Sequence, residues 1–531
     1  MSGKGRAIVV GAGVGGLAAA CDLANAGLEV TVLERAQASG GKMRALRAGD
    51  FEVDAGPTVF TMHWVFDGLF ADSGESFDDA VTLESAEVLA RHAWAEGGRL
   101  DLFADSEASI AAIDEFAGAK EALAYRRFVE RSAQVYATLE RPFIRSERPR
   151  STLDLVSRVG LTGVPALART QPMVSLWNAL GEHFRDPRLR QLFARYSTYV
   201  GASPLKAPAT LMLIAHVEQS GVWLVKGGMR ELARQMQGLA ERRGAQFRFG
   251  AHVDQIVVSG GAVRGVRLEG GETLDADAVI FNGDSAALAG GLLGDGVMSA
   301  AAPTPRAQRS LSAVTWCLAA KPDGFPLQHH NVFFSRDYPA EFKQVFEART
   351  VSAAPTVYLC AQGRSAKING PQPQGSEPML LLINAPADGD RGWPRGGAGE
   401  PSLEALQERT IGMLEACGLT LSADSFSTGQ RTTPSDFAEC FPGNGGALYG
   451  RANHGPFAIF ERPSARMDVP GLYLAGGSAH PGAGVPMATL SGRIAAARLL
   501  ADRQSQRKGQ AAITLARGAA PQAPGSRVRG H

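Results

Sequence analysis

Cysteine is scarce in this chain, with five in 531 residues. Cys21, Cys317, Cys360, Cys417 and Cys440 are scattered, and no pair has the C-x-x-C spacing. That argues against a zinc site or a redox disulfide motif and fits a reducing compartment. Excess charge is also missing: 54 Lys and Arg stand against 53 Asp and Glu, a net charge of +1. A basic footprint for nucleic acid is therefore absent. Long hydrophobic runs are lacking too, and no stretch approaches the roughly 18 apolar residues of a membrane-spanning helix. Residues 7–20 are apolar, but Gly11, Gly13, Gly15 and Gly16 interrupt them and little basic charge precedes them, which argues against a signal peptide.

What the chain does have is an apolar content of 45%, enough for a large core, in a length that usually divides into domains. Its two ends are glycine-rich in matching ways. Residues 6–35 read as a βαβ unit, with a strand over Arg6–Val10, a helix over Gly15–Ala26 and a strand over Leu28–Leu33. Gly27 stands where a helix-ending glycine belongs. Gly11, Gly13 and Gly16 fit G-x-G-x-x-G between strand and helix. The first glycine permits the turn, the second lets backbone reach a pyrophosphate, and the third lets helix and strand pack closely. The helix N-terminus then offers free N–H groups to phosphate. Glu34, at the end of the second strand, is placed to accept ribose hydroxyls. Together these features point to a dinucleotide, with Ala12, Val14, Gly15 and Arg35 as further contacts.

A second glycine turn, Gly40-Gly41-Lys42-Met43-Arg44, and a third, Asp54-Ala55-Gly56-Pro57-Thr58, follow the unit. They suit a ligand that continues past the pyrophosphate toward a ring, which favours FAD over NAD. A second G-x-G-x-x-G with its own acid is lacking, so reduction by a bound nicotinamide is not expected. Near the other end, Gly471-Leu-Tyr-Leu-Ala-Gly476-Gly477-Ser-Ala-His480-Pro481-Gly482-Ala-Gly484-Val-Pro486-Met487 again reads as strand, turn and helix. Pro486 starts a helix running to about Leu500. Its N-terminal dipole would face the flavin pyrimidine edge, where reduced flavin is negative. The expected cofactor-binding set is therefore Gly11–Gly16, Glu34, Arg35, Gly41–Arg44, Gly56–Thr58, Val253, Gly477 and Gly484–Met487. A bound metal is not expected.

The fold class expected is α/β, with a discontinuous FAD-binding Rossmann-type domain (1–80, 222–300 and 465–502) and a mixed substrate domain (81–221 and 301–464). Residues 107–200 read as an inserted helical lobe. Further strands are expected at Gln246–Phe249, Val253–Val258, Ala262–Leu268, Ala278–Phe281, Ala313–Ala319, Thr356–Ala361 and Met379–Asn384, and a helix at Glu404–Cys417. Residues 503–531 are Ala-, Gly-, Pro- and Gln-rich, and their arginines meet no acid in sequence; a disordered basic tail is expected.

The glycine motifs, Lys226-Gly227-Gly228-Met229 and the H-P-G-A-G-V-P element at His480–Pro486 together resemble the bacterial phytoene-desaturase-type carotenoid desaturases, from about residue 6 to residue 500. Phe281-Asn282-Gly283-Asp284 and Phe441–Gly450 are most similar to the 1-hydroxycarotenoid 3,4-desaturase (methoxyneurosporene dehydrogenase) branch. The chain departs from the family at Gly476-Gly477-Ser478 and at Met487, which bears on substrate more than on FAD. The resemblance implies FAD-dependent dehydrogenation of an acyclic carotenoid, at the 3,4 bond of a 1-hydroxy or 1-methoxy substrate. It also implies a cytoplasmic enzyme associated peripherally with the inner, photosynthetic membrane. Oxygen or a quinone as electron acceptor is left open, as is the oligomeric state. Alternatives on the same scaffold are a phytoene desaturase, a carotenoid isomerase, an amine-oxidase-like enzyme and a non-catalytic prenyl- or lipid-binding protein.

Candidate catalytic side chains are few. His480 lies inside the C-terminal motif, while His454 and Glu461 precede the last strand. A direct role for any of them is an open question, because a polyenyl cation gives up its proton without a strong base. His329 and His330 are adjacent on a strand and are expected to point to opposite faces. Arg145, Arg148 and Arg150 read as a solvated run. Residues 153–180, apolar with interspersed Arg158 and Arg169, read either as lobe core or as a membrane-facing surface through which a lipid-soluble substrate enters.

Overall fold

A computed structural model describes residues 5–368, 370–394 and 401–518 of the chain. The first strand, Arg6–Val10, pairs in parallel with Glu29–Glu34 on one side and Ala278–Phe281 on the other. Leu472–Leu474 and Gln246–Phe249 complete a five-stranded parallel sheet, one at each edge. Strands buried on both faces need continuous apolar sequence, and Ala7-Ile-Val-Val10 and Ala278-Val-Ile-Phe281 supply it. The helix Val14–Asn25 is buried along most of its length, which its alanine-rich sequence permits.

The last helix, Val485–Gly518, packs on that first helix through two glycines. A Cβ at Gly492 would lie 1.9 Å from the carbonyl oxygen of Gly15, and one at Gly15 would lie 2.8 Å from the carbonyl oxygen of Ala488. The two helices are thus in backbone contact, and the two ends of the chain form one layer.

The second large sheet has seven strands in the order Gln430–Thr432, Ser312–Ala320, Glu377–Ala385, Val357–Ala361, His330–Phe334, Val88–Trp94 and Arg99–Phe103. Most neighbours pair antiparallel, while His330–Phe334 runs parallel to Val88–Trp94. A three-stranded antiparallel sheet (Val253–Ser259, Ala262–Leu268, Thr273–Asp275) flanks the parallel one. Between Ser106 and Gln219 the chain is helical, as expected; its longest helix is Ala119–Leu139.

The expected strands are all present, within one or two residues of their expected ends. The tail expectation fails in part. The last helix continues to Gly518 instead of ending near Leu500. Ala, Gln, Arg and Lys, all good helix formers, dominate residues 501–517. Arg503 also meets an acid, 3.3 Å from Asp277. The remainder of the expected tail, 519–531, lies outside the described residues.

Candidate active site

The glycine-rich turn after the first strand is closed in a way that only glycine permits. Gly11 has φ +98°, and a Cβ at Gly16 would lie 2.1 Å from the carbonyl oxygen of Gly11. Asn282, at the end of the neighbouring strand, donates from Nδ2 to the Gly11 carbonyl at 3.1 Å. Its side chain also crowds Gly13, Gly15 and Gly476, so it links the N-terminal turn to the C-terminal one. The sequence motifs gave Asn282 no cofactor role.

Glu34 is buried at the end of its strand. One carboxylate oxygen accepts from the Ala12 N–H at 2.7 Å and the other from the Ala36 N–H at 2.8 Å. The acid is therefore held against the glycine turn, with remaining acceptor capacity toward whatever lies there. Arg35 points elsewhere, donating to the backbone carbonyls of Glu439 and Cys440. Val253 is buried with Val10, Leu33 and Ala251 beside the parallel sheet.

The second glycine turn bridges to the first through the Gly13–Gly40 pairing. Gly41 has φ +57°, and a Cβ at Gly56 would lie 1.8 Å from the carbonyl oxygen of Lys42. The second and third turns are therefore in backbone contact. Met43 beneath them is buried. Lys42 donates to the carbonyl of Leu448 at 2.6 Å and lies 5.5 Å from the ring centroid of Phe441. Burial lowers its pKa, partly offset by Asp284. Arg44 donates to Thr432, and its Nε is buried without a hydrogen-bond partner among the described residues.

A cavity of about 490 Å³ adjoins these turns. Gly56, Pro57, Thr58 and the run Pro481–Met487 form one wall; the large sheet contributes Val332, Tyr358 and Leu380 among others; the helical lobe and the stretch from Tyr449 to Arg462 supply most of the rest. Its lining is mostly aliphatic and aromatic. Gly484, with φ +105°, precedes the first residue of the last helix, and Pro486 sits in that helix's first turn as expected. Gly477 is set back, its carbonyl accepting from Arg462 at 2.6 Å. Arg462 is buried with only carbonyl and amide oxygens as hydrogen-bond partners among the described residues. Burial brings its pKa down to about 10, against the pull of Asp284.

The three candidate catalytic residues are placed outside the cavity lining. His480 is fully buried, and its Nε2 lies 3.0 Å from the Phe143 carbonyl and 2.8 Å from that of Ser146. Burial pushes its pKa down to about 4. It is thus a neutral donor that clasps the helical lobe to the C-terminal turn. His454 accepts from the Ser203 N–H at 2.9 Å, and Glu461 pairs with Arg451 at 2.8 Å.

Two other expectations need correction. His329 and His330 do not diverge: their rings lie 4.6 Å apart, because His329 precedes the strand that His330 begins. The Nδ1 atoms of the pair face Arg364 O and Tyr358 OH respectively. The basic run is not simply solvated, since Arg145 stacks 3.5 Å from the Trp64 ring centroid and Arg148 donates to the Phe460 carbonyl.

A model of flavin-containing amine oxidoreductases matches residues 14–500. The chain belongs to this family. It is an FAD-dependent oxidoreductase, as the glycine turns imply. The donor set fits the cofactor: three turns closed to side chains, an acid against the first, and Lys42 and Arg44 unpaired with any carboxylate at the second among the described residues. Over 96% of its length the chain is 49% identical to a hydroxyneurosporene desaturase of Rubrivivax gelatinosus, covering 95% of that protein. It is 45% identical to a hydroxyneurosporene desaturase of Cereibacter sphaeroides, with 94% of this chain and 98% of that one aligned. A 1-hydroxycarotenoid 3,4-desaturase of a Flavobacterium species is 30% identical over 92% of the chain. The resemblance read from the motifs is borne out. Among solved structures, a putrescine oxidase variant superposes with TM-score 0.59 at 16% identity, over 94% of this chain and 99% of its own, which confirms the fold.

Proposed function

We propose that the protein dehydrogenates an acyclic carotenoid, at the 3,4 bond of a 1-hydroxy or 1-methoxy substrate. The observation that carries this reading is the apolar cavity. It runs from the ring-side turns to exposed Met173 and Phe457, and so suits a long hydrocarbon arriving from lipid. The similarity to hydroxyneurosporene desaturases supports it.

FAD, when bound, supplies the acceptor for the hydride leaving an allylic C–H bond. Gly11, Gly13, Gly16 and Glu34 would hold its adenosine and pyrophosphate. Lys42, Arg44, Gly56 and Pro57 would approach its middle and ring, and Gly484–Met487 its pyrimidine side. The chain's own work is then positioning. The cavity walls align the polyene and exclude water, which accounts for much of a reaction whose charge is spread along conjugated carbons.

The protein also rests on a membrane surface in this reading. Leu153, Leu161, Met173 and Phe457 are 80%, 88%, 73% and 57% exposed, and Met173 and Phe457 line the cavity as well. No helix among the described residues is long and apolar enough to cross a bilayer. Shallow insertion of the lobe would present the cavity mouth to the acyl region, on the cytoplasmic side.

Co-expression with accumulated neurosporene-type and 1-hydroxylated carotenoids, followed by pigment analysis, tests the reaction. A product with one further double bond at the oxygenated end is expected. Unchanged pigment with FAD-loaded protein would refute it. Liposome flotation tests the surface: wild type should float, and Leu153→Asp with Leu161→Asp should not. A wild type that stays at the bottom of the gradient overturns membrane contact.

A further inference from the structure

Inside this apolar cavity sits a charged cluster that hydrocarbon binding does not explain. Arg195 begins the 3₁₀ turn Arg195–Val200, and Glu218 lies on the helix Leu213–Gln219. Both are more than nine-tenths buried, and both line the cavity with Tyr199. The Tyr199 hydroxyl donates to Glu218 Oε1 at 3.0 Å and accepts from Arg195 Nη1 at 2.6 Å. Tyr196 donates to the other Glu218 oxygen. The second guanidinium nitrogen, Nη2, is 3.5 Å from Glu218 Oε1. It makes no hydrogen bond among the described residues, and neither does Nε.

Burial works against the charge on Arg195, but Tyr199 and Glu218 outweigh it and hold its pKa above the ordinary value. A cation therefore stands in the wall of an apolar cavity with two buried donors unspent. Replacing buried ion pairs by apolar residues is often neutral or stabilising, so stability alone does not account for the group.

The cavity that Arg195, Tyr199 and Glu218 line is also lined by Thr58 and Tyr358. The Tyr358 hydroxyl is 2.7 Å from His330 Nδ1 and 2.7 Å from the Thr58 hydroxyl. Thr58 closes the turn proposed to approach the ring. In a 1-oxygenated substrate the oxygen is only two carbons away from the 3,4 bond. A group that binds the oxygen must then stand beside the reaction centre.

We propose that Arg195, held by Tyr199 and Glu218, donates a hydrogen bond to the C1 oxygen of the substrate and so selects oxygenated over purely hydrocarbon polyenes. This rests on the proposed function and names the specificity residues of that same site. A site built to hydrogen-bond a substrate oxygen discriminates against the analogue that lacks it, because its own polar groups are then left unpaired.

The test compares FAD-loaded wild type, Arg195→Met, Arg195→Lys and Tyr199→Phe on liposomes containing a 1-hydroxycarotenoid and its unoxygenated parent. Two quantities are read: kcat/KM for each pigment, and their ratio in the protein-bound fraction. Arg195→Met should lose about 10–100-fold in kcat/KM for the hydroxylated pigment, as expected for one hydrogen bond to a charged group, mostly through KM. Its bound fraction should shift toward the hydrocarbon. Arg195→Lys should recover part of the preference. Tyr199→Phe, which removes a single hydroxyl, should weaken it less while keeping normal FAD content. If Arg195→Met and Tyr199→Phe both bind and convert the two pigments in wild-type proportion, the inference fails. A wild type that converts neither pigment would instead refute the proposed function.

Discussion

Gly492→Ala is a substitution for which two ordinary effects compete and the structure decides the sign. In the middle of a helix, alanine is favoured over glycine by about 1 kcal/mol. Here the new Cβ would lie 1.9 Å from the carbonyl oxygen of Gly15, where real side chains do not come closer than 3.0 Å. The obstacle is backbone, so the last helix must move away from the first by about 1 Å. Overpacking of this kind costs about 1–3 kcal/mol, which exceeds the propensity gain. The displacement also has a path to the cofactor turns. Ser491 beside it accepts from the Gly476 N–H at 2.7 Å, and Arg493 pairs with Asp22 of the first helix at 3.0 Å. The variant should unfold at lower urea concentration than wild type and lose FAD earlier, read as the rise in free-flavin fluorescence. Gly412→Ala is the matched control. It lies in the helix Leu403–Ala416, and a Cβ there meets nothing within 4 Å. It should stabilise by about 0.5–1 kcal/mol. Wild-type midpoint and full flavin retention in Gly492→Ala would refute the packing argument.

Glu34→Ala should purify with sharply reduced FAD, since the acid both braces the Ala12 N–H and is the acceptor proposed for the ribose; full flavin absorbance in the variant would contradict this. His480→Ala, His454→Ala and Glu461→Gln should each keep measurable desaturation, with losses well below the roughly 10²–10⁴-fold of a general base. A variant of these that binds FAD and pigment normally yet has no turnover would identify a base. Acid should destabilise the protein through its buried histidines. His480 has a pKa near 4 when folded and about 6.5 when unfolded, so the unfolded state takes up the proton first. Its contribution is complete above pH 6.5 and falls away toward pH 4, by at most about 3 kcal/mol. His329 and His454, also pushed down to about 4 by burial, act in the same window. Urea midpoints measured from pH 7 to pH 4 should fall, and His480→Gln should flatten the slope; an unchanged slope would exclude His480 as a contributor.

The parallel sheet and its turns were readable because each depends on local sequence. Apolar runs make doubly buried strands, and Gly11 and Gly16 sit where a side chain would strike backbone. The helix start at Val485 was marked by Gly484 and Pro486. What sequence could not supply were contacts between distant segments. Asn282 joins the two glycine turns from a strand some 270 positions after the first. The Arg195–Tyr199–Glu218 cluster is assembled from two lobe segments, and nothing in their spacing marks a shared cavity. His480 drew attention through its motif. Its partners, the carbonyls of Phe143 and Ser146, lie in a part of the chain with no motif at all. The far helix beyond Leu500 was misread because composition was weighed without helix propensity or the Arg503–Asp277 contact.

The lining of the cavity argues for catalysis by placement. Glu218 is the one carboxylate among the described lining residues, and no histidine or lysine joins it. Its two oxygens already accept from Tyr196 and Tyr199. Taking a proton would strip those hydrogen bonds of their charge and leave Arg195 an unbalanced cation in an apolar space, which is costly. Glu218 is thus better suited to hold Arg195 than to act as a base. Positive charge spread along a polyene makes the adjacent proton acidic enough for a weak acceptor, so the lining has no need of a strong one. What it must do is fix which bond faces the ring. An apolar tube alone would let a uniform chain slide, and one polar stop in its lining is enough to set the register.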